Sequence, residues 1–327
     1  MAGLDFDRTV PRRLVHRRAV SEVFLCGSAQ VGQDEFAVAA QLPRAHALWS
    51  DRTDGRHDPL MAVEAGRQAV ILVGHAHYGL SGDLMMVARS SSMRVHDPEA
   101  FRDDGATPLE GCFLLRRTDR ELSDGGPSVL ALTGDFYVGS SKAMSMSGTL
   151  VCTPKDEYEL LRAHSRARKT LTRSPVAARP LAAELVGRST PRNVVIGELP
   201  DGAGRLPAGA GPGERAGRAI IADPRNPAYF DHPLDHVPGQ LLLEACRQHA
   251  IEAAVGASAL ANPSCTVVAC RVSFDDFVEL DADAECSAVV HPPRADGTVR
   301  AEVEVAQAGL RVGVVELELA APPPSHP

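Results

Sequence analysis

No run of eighteen apolar residues occurs in the chain, so no transmembrane helix is expected. The first eighteen residues carry charges but no apolar core, which argues against a secretory signal and for a cytoplasmic protein. Seven cysteines are scattered without a Cys-x-x-Cys pair, so neither a disulfide framework nor a structural zinc site is expected; they read as buried thiols in a reducing compartment. Lysine is almost absent: three of the 34 basic residues (Lys142, Lys155, Lys169) are lysine and the rest arginine, a bias typical of a GC-rich bacterial genome. The net charge of -8 leaves no basic excess and argues against a nucleic-acid partner. No Walker-type Gly-Lys-Ser/Thr, no Gly-x-Ser-x-Gly elbow and no His-Glu-x-x-His is present. The glycines at 209–213 carry a proline and precede no helix, so they read as a hairpin loop and not a dinucleotide site. No His/Asp/Glu cluster has metal-ligand spacing, and no cofactor is expected.

What is present is a repeat. Glu64-Ala65-Gly66-Arg67-Gln68 returns 180 residues later as Glu244-Ala245-Cys246-Arg247-Gln248. A His-x-Pro triplet precedes each copy (His57-Asp58-Pro59 and His236-Val237-Pro238), and an apolar run carries each onward. The spacing is too wide for a solenoid and points to a duplicated domain. The 327 residues are enough for two domains, each with its own core. Residues 59–78 and 239–255 read as helices, apolar almost all round and therefore buried. Strand-like runs surround them: 22–26, 36–42, 84–95, 111–118, 129–138 and 143–152, then 193–199, 218–222, 266–274, 285–291, 299–306 and 310–319. Residues 31–34 have hairpin-turn chemistry. The charged stretch 155–173 reads as a solvated helix and linker. The predicted class is α+β: a domain at 10–165, a linker at 166–188 and a second domain at 189–321, packed as a pseudo-dimer.

The second copy is the more informative. His232, His236, Pro238-Gly239 and then Glu244 resemble the signature of the hot-dog fold of acyl-carrier-protein dehydratases and thioesterases. There a loop histidine and an acidic helix residue face one thioester, whose carbonyl is polarised by a helix N-terminal amide. The histidines lie nearer the Pro-Gly than in dehydratases, and the second loop proline is missing, which points away from dehydration. A closer resemblance runs over almost the whole chain. Ser21-Glu22-Val23-Phe24-Leu25, Pro43-Arg44-Ala45-His46, Gly55-Arg56-His57-Asp58-Pro59 and the stretch from Phe230 to Gly239 are similar to the A-factor biosynthesis family, the γ-butyrolactone synthases.

That resemblance implies a double hot-dog acyltransferase. It would move a β-ketoacyl group from an acyl-carrier-protein thioester to the hydroxyl of dihydroxyacetone phosphate, on the way to butyrolactone, butenolide or furan signals. It favours Glu64 and Arg247, one from each repeat, as residues acting together. Other readings are a carrier-protein thioesterase or dehydratase of the same fold, and a non-catalytic binder of acyl chains or butyrolactones. A monomer and a homodimer are both compatible with the duplication.

The residues themselves leave alternatives open. Burial in an apolar helix would raise the pKa of Glu64 toward a useful base, but the same carboxylate could merely brace the adjoining loop, and Glu244 likewise. Arg67 and Arg247 lie one helical turn from those glutamates, where they could bind an anion or pair with the glutamate. Gln68 and Gln248 complete each motif as candidate substrate contacts. His57, His232 and His236 occupy the loops entering the helices and suit acid/base or orienting work; His46 is a weaker candidate, and His75, His77 and His249 read as core histidines. The first repeat has Leu60 after its proline where the second has Gly239, so one productive site and one degenerate one are expected, the productive one combining the loop 232–239 with Glu64.

Overall fold

The computed structural model describes residues 4–52, 54–119, 128–171, 178–200 and 211–321. The chain divides into two compact units, Met1–Ser50 with Gly55–Leu161, and Asp51–Asp54 with Arg162–Pro327.

In the first unit the strands are β1 (Leu25–Gly32), β2 (Glu35–Leu42), β3 (Met85–Val95), β4 (Leu109–Arg117), β5 (Ser128–Val138) and β6 (Ser141–Thr153), with helix α1 (Pro59–His77) between β2 and β3. They pair antiparallel in the order β1-β2-β4-β5-β6-β3. The helix α2 (Lys155–Ala167) follows, and the division between the units falls inside it. The second unit repeats the plan. Its strands are β7 (Ile196–Gly197), β8 (Arg215–Ile220), β9 (Thr266–Phe274), β10 (Ala284–Val290), β11 (Val299–Gln307) and β12 (Leu310–Ala320), with α3 (Gly239–Gly256) between β8 and β9. Their order is β9-β12-β11-β10-β8-β7, the same arrangement read from the other end.

The strands alternate because one face of each sheet covers its helix. In β11, Val299, Ala301, Val303 and Val305 are fully buried, while Arg300, Glu302 and Glu304 point the other way. The helices are buried on nearly every side, as their lack of a polar face requires: Leu60, Ile71 and Leu72 in α1, and Leu241, Leu242 and Ile251 in α3, are all at most 3% exposed. Each such burial contributes about 1.5–3 kcal/mol. This is the α+β hot-dog arrangement expected from the sequence, present once in each unit.

Two strand predictions need correction. The first strand begins at Leu25, not Glu22, because Val20–Glu22 forms a 3-10 turn closed by Val23 N–H on Val20 O. Of 193–199 only Ile196–Gly197 pairs as a strand, since Pro191–Asn193 is a matching 3-10 turn. The hairpin at 31–34 is present but tighter than expected, with β1 running through Gly32 and Asp34 taking φ 56°. Of the predicted hairpin loop at 209–213, residues 209 and 210 lie outside the described residues, as do 172–177 of the predicted linker. The end of that linker is core: Val186 is fully buried and Arg188 is 3% exposed.

All seven cysteines are free thiols, six buried and Cys26 half-buried. Among the described residues no helix is long and apolar enough to cross a membrane, and no three His, Cys, Asp or Glu side chains gather as a metal ion would need.

Candidate active site

The repeated Glu-Ala-x-Arg-Gln builds the same network in both units. In α1, Arg67 Nε and Nη2 donate to Glu64 Oε2 and Oε1 at 2.8 and 2.9 Å, and Gln68 Nε2 donates to Glu64 Oε1 at 2.9 Å. In α3, Arg247 makes the same fork on Glu244 at 2.8 and 2.7 Å, with Gln248 Nε2 on Oε1 at 2.6 Å. Each glutamine also reads the backbone of the chain segment before the first strand of its unit. Gln68 accepts from Phe24 N–H and donates to Glu22 O; Gln248 accepts from Val195 N–H and donates to Asn193 O.

A further arginine closes each network, and inspection of the motif alone missed it. Arg17 donates to Glu64 Oε1, and Arg188 Nε donates to Glu244 Oε1 at 3.0 Å. The two arginines occupy one position in a longer repeat: Leu14-Val15-His16-Arg17 and Leu185-Val186-Gly187-Arg188, each leaving a 3-10 turn (Arg12–Val15, Ala183–Val186) through a left-handed residue. That residue is His16 (φ 53°) in the first unit, hydrogen-bonded to His75 at 2.8 Å. In the second it must be Gly187, because a Cβ there would approach Pro263 O to 2.8 Å. The tetrapeptide Leu-Val-x-Arg was the available signal.

These contacts overturn the expectation of a raised Glu64 pKa. Burial pushes the carboxyl up, but the Arg17 and Arg67 guanidiniums, with hydrogen bonds from Arg67 and Gln68, outweigh it and hold Glu64 well below the usual carboxylate range. Glu244 is pushed up by burial and held down to about 2 by Arg188 and Arg247. A carboxylate so stabilised is a weaker proton acceptor than an ordinary glutamate, and its contacts suit the bracing alternative. The guanidiniums differ in access. Arg67 keeps 34% of its side chain exposed, whereas Arg247 keeps 2%. Arg247, expected to serve an anionic substrate, is committed to Glu244 inside the second unit's core; Arg67 is the one that offers a face to solvent.

The two His-x-Pro triplets also prove inequivalent. Pro59 is the first residue of α1, behind the cap Asp58, whereas Pro238 is itself the cap of α3 and Gly239 the first residue. His57 therefore takes the place of Val237. Both are buried, and their N–H groups donate to Phe101 O and Val278 O, each at 2.8 Å. Burial lowers the His57 pKa against the pull of Asp103 and Asp104, which leaves an enclosed neutral ring. His236 falls one residue earlier, where the first unit has Arg56. The helix starts differ accordingly. Asp58, fully buried, accepts from Leu60 N–H and closes α1, while Pro238 provides no side-chain cap and Gly239 is exposed.

His236 Nδ1 lies 2.6 Å from Asp235 Oδ1. A carboxylate can only accept, so Nδ1 carries a proton, which in the neutral ring leaves the lone pair on Nε2. Asp235 is gripped from the other side by Arg162, whose Nε reaches Oδ2 at 3.0 Å and whose Nη2 reaches the Asp235 carbonyl at 2.8 Å. His232 faces Asp231 at 3.4 Å. His46 accepts at Nδ1 from Leu48 and Trp49 N–H, so its Nε2–H is directed at Glu22, 3.3 Å away. His77 meets Ser28 Oγ and His75 meets His16, but both rings are half-buried; of the three expected core histidines only His249, which meets Ala216 O and Glu252, lies in the core.

The charged stretch after β6 is a helix, as expected, but it is not solvated throughout. The Lys169 side chain is fully buried and donates to Ser165 Oγ at 3.1 Å and to Phe277 O, while Arg162 is 11% exposed. Asp51, outside every sequence expectation, is a buried anchor of the second unit, accepting from Ser189 N–H and Oγ, Thr190 N–H and Asn193 Nδ2.

Comparison with known proteins places these features in context. Residues 3–109 and 170–319 match the A-factor biosynthesis hotdog domain. A 2-oxo-3-(phosphooxy)propyl 3-oxoalkanoate synthase of Streptomyces virginiae is 34% identical over 249 residues, covering 74% of this chain and 76% of that protein. A Streptomyces griseus protein of the same description is 29% identical over 304 residues, 91% of each chain. A solved structure described as an oleoyl thioesterase from Lactobacillus plantarum shares the fold, with TM-score 0.50 over 90% of this chain and 99% of its own, at 12% identity.

Proposed function

The chain belongs to the A-factor biosynthesis hot-dog family, and we propose that it transfers a β-ketoacyl group from a carrier-protein thioester to the hydroxyl of dihydroxyacetone phosphate. The product of that transfer is the 2-oxo-3-(phosphooxy)propyl 3-oxoalkanoate for which its relatives are described. The observation that carries the mechanistic reading is the Asp235–His236 dyad, ending three residues before the uncapped start of α3 at Gly239.

Acyl transfer to an alcohol needs a base for the hydroxyl and donors for the tetrahedral oxyanion. His236 Nε2 takes the hydroxyl proton while the alcohol oxygen forms its bond to the thioester carbon. The Gly239 amide, at the positive end of the α3 dipole, stabilises the oxyanion. Collapse of the intermediate breaks the carbon–sulfur bond, and the imidazolium returns its proton to the departing thiolate. Asp235 keeps the imidazole in the tautomer that presents Nε2. His232 and its neighbour Asp231 belong to the same loop and shape its approach. The first unit lacks both the dyad and the open helix start, which supports one productive set of groups per chain. Glu64, Gln68, Glu244, Arg247 and Gln248 act as scaffold, and His57 as a packed loop residue.

Steady-state kinetics with dihydroxyacetone phosphate and with unphosphorylated dihydroxyacetone test the choice of acceptor: the phosphorylated alcohol is expected to be used in clear preference, and equal use of the two would remove it as the acceptor.

A further inference from the structure

We infer that Arg162 is a positioning residue for the transfer reaction, fixing the Asp235–His236 dyad in its reactive tautomer; this rests on the reading of His236 as the base. Arg162 comes from α2, in the stretch whose charges alone suggest only a solvated face. Its guanidinium is divided between two carboxylates. Nη1 and Nη2 fork onto Glu279 Oε1 and Oε2 at 2.8 and 2.7 Å, and Nε and Nη2 hold the side chain and carbonyl of Asp235.

Glu279 is itself immobilised. It is 1% exposed, its N–H donates to Gln307 Oε1 at 2.7 Å, and Gln307 Nε2 returns a bond to Glu279 O at 2.9 Å. Gln307 is the last residue of β11. A continuous chain of contacts, charge-assisted from the Glu279 carboxylate onward, thus runs from the sheet to the imidazole: Gln307, Glu279, Arg162, Asp235, His236. One aromatic ring ties its far end together. Phe277 stacks under the Arg162 guanidinium at 4.7 Å and meets the edge of His236 at 4.9 Å.

The anchor matters because Asp235 is half-exposed. An isolated pair between exposed groups is worth about 0–1 kcal/mol and would not fix a histidine's orientation or tautomer. Arg162 connects that pair to the buried core. Other charges face Glu279 as well, Arg166 at 3.2 Å and Lys169 at 3.7 Å, and each has a further carboxylate, Asp281 and Asp276 respectively. Glu279 therefore keeps cationic partners when Arg162 is replaced. Neutralising Glu279 does not require Arg162; gripping Asp235 does. In the first unit the corresponding position before the helix is Arg56, bound to Glu99 and Pro98 O, and no such relay is found among the described residues.

The test uses the full-length protein with 15N-labelled histidine and the variants Arg162→Met, Arg162→Lys and Arg166→Met. Wild type should show His236 as a single Nδ1–H tautomer at neutral pH. In Arg162→Met the ring should become a tautomer mixture, and kcat should fall about 10- to 100-fold, less than the ~10²–10⁴ attached to a base itself, with KM for the acyl thioester nearly unchanged. Arg162→Lys should restore little, because an ammonium cannot span two carboxylates. Arg166→Met, which shares Glu279 but does not touch Asp235, should retain both tautomer and rate. An unchanged Nδ1–H tautomer in Arg162→Met, or a rate loss no larger than its loss of folded protein, would overturn the inference. Failure of wild type to make ester would count against the transfer reading instead, and the tautomer comparison would still decide what Arg162 does.

Discussion

Replacing His236 with glutamine is expected to reduce acyl transfer by roughly 10²–10⁴-fold, the contribution of a positioned base, with little effect on folding. The side chain is 24% exposed and lies in the loop before α3, so its replacement opens no core cavity. Glutamine keeps polarity and approximate reach but cannot accept a proton at neutral pH. The loss should appear in kcat measured with both substrates saturating, while thermal unfolding stays close to wild type. The sharpest comparison is His57→Gln. His57 is 7% exposed and occupies the place of Val237, so its replacement should perturb stability more than chemistry. Near-full turnover by His236→Gln would mean that the base lies elsewhere.

Glu244→Gln is expected to be the most destabilising of the conservative substitutions considered, by about 3–5 kcal/mol, the cost of leaving a buried charge without its partner. Two guanidiniums, Arg188 and Arg247, would lose their shared carboxylate in a region where their side chains are at most 2% exposed. Glu64→Gln removes the same group from the first unit, but there Arg67 can turn toward water, and the loss should be clearly smaller. Urea unfolding followed by circular dichroism separates the two. Equal losses would show that the networks are energetically alike despite their different exposure. The pH dependence has a definite sign. The Glu244 carboxyl is depressed in the folded state, so its stabilisation is complete above the ordinary glutamate value of 4.5 and drains away as pH falls toward about 2. Glu64 is likewise depressed and acts in the same direction. Glu244→Gln should therefore flatten the acid limb of the stability curve.

Much of the fold was legible because a helix sealed inside a sheet has no polar face. Residues 59–78 and 239–255 could hardly be placed on a surface, and the helices observed are Pro59–His77 and Gly239–Gly256. The duplication was legible from Glu-Ala-x-Arg-Gln, but the role of that motif was not. Whether a buried glutamate is a base or a brace depends on the charges brought to it, and Arg17 and Arg188 arrive from 47 and 56 residues away. The His-x-Pro triplets misled for a local reason. Proline stands at the first helical position in α1 and at the cap in α3, so two His-x-Pro triplets enter their helices one residue out of step. That single residue separates an enclosed His57 from a half-exposed His236. Arg162 was hidden for the opposite reason: in a run of arginines nothing local distinguishes the one that meets a buried carboxylate.

As a transferase, the protein is expected to deliver its acyl group to a phosphorylated alcohol in preference to water. The direct measurement is mass spectrometry of the products after the enzyme is incubated with a β-ketoacyl carrier protein, or a short thioester mimic of it, with and without dihydroxyacetone phosphate. The phosphorylated ester is expected when both substrates are present, and little free β-keto acid when the acceptor is withheld. Release of free acid at the same rate in both incubations, with no ester, would make the protein a thioesterase and contradict the transfer reading.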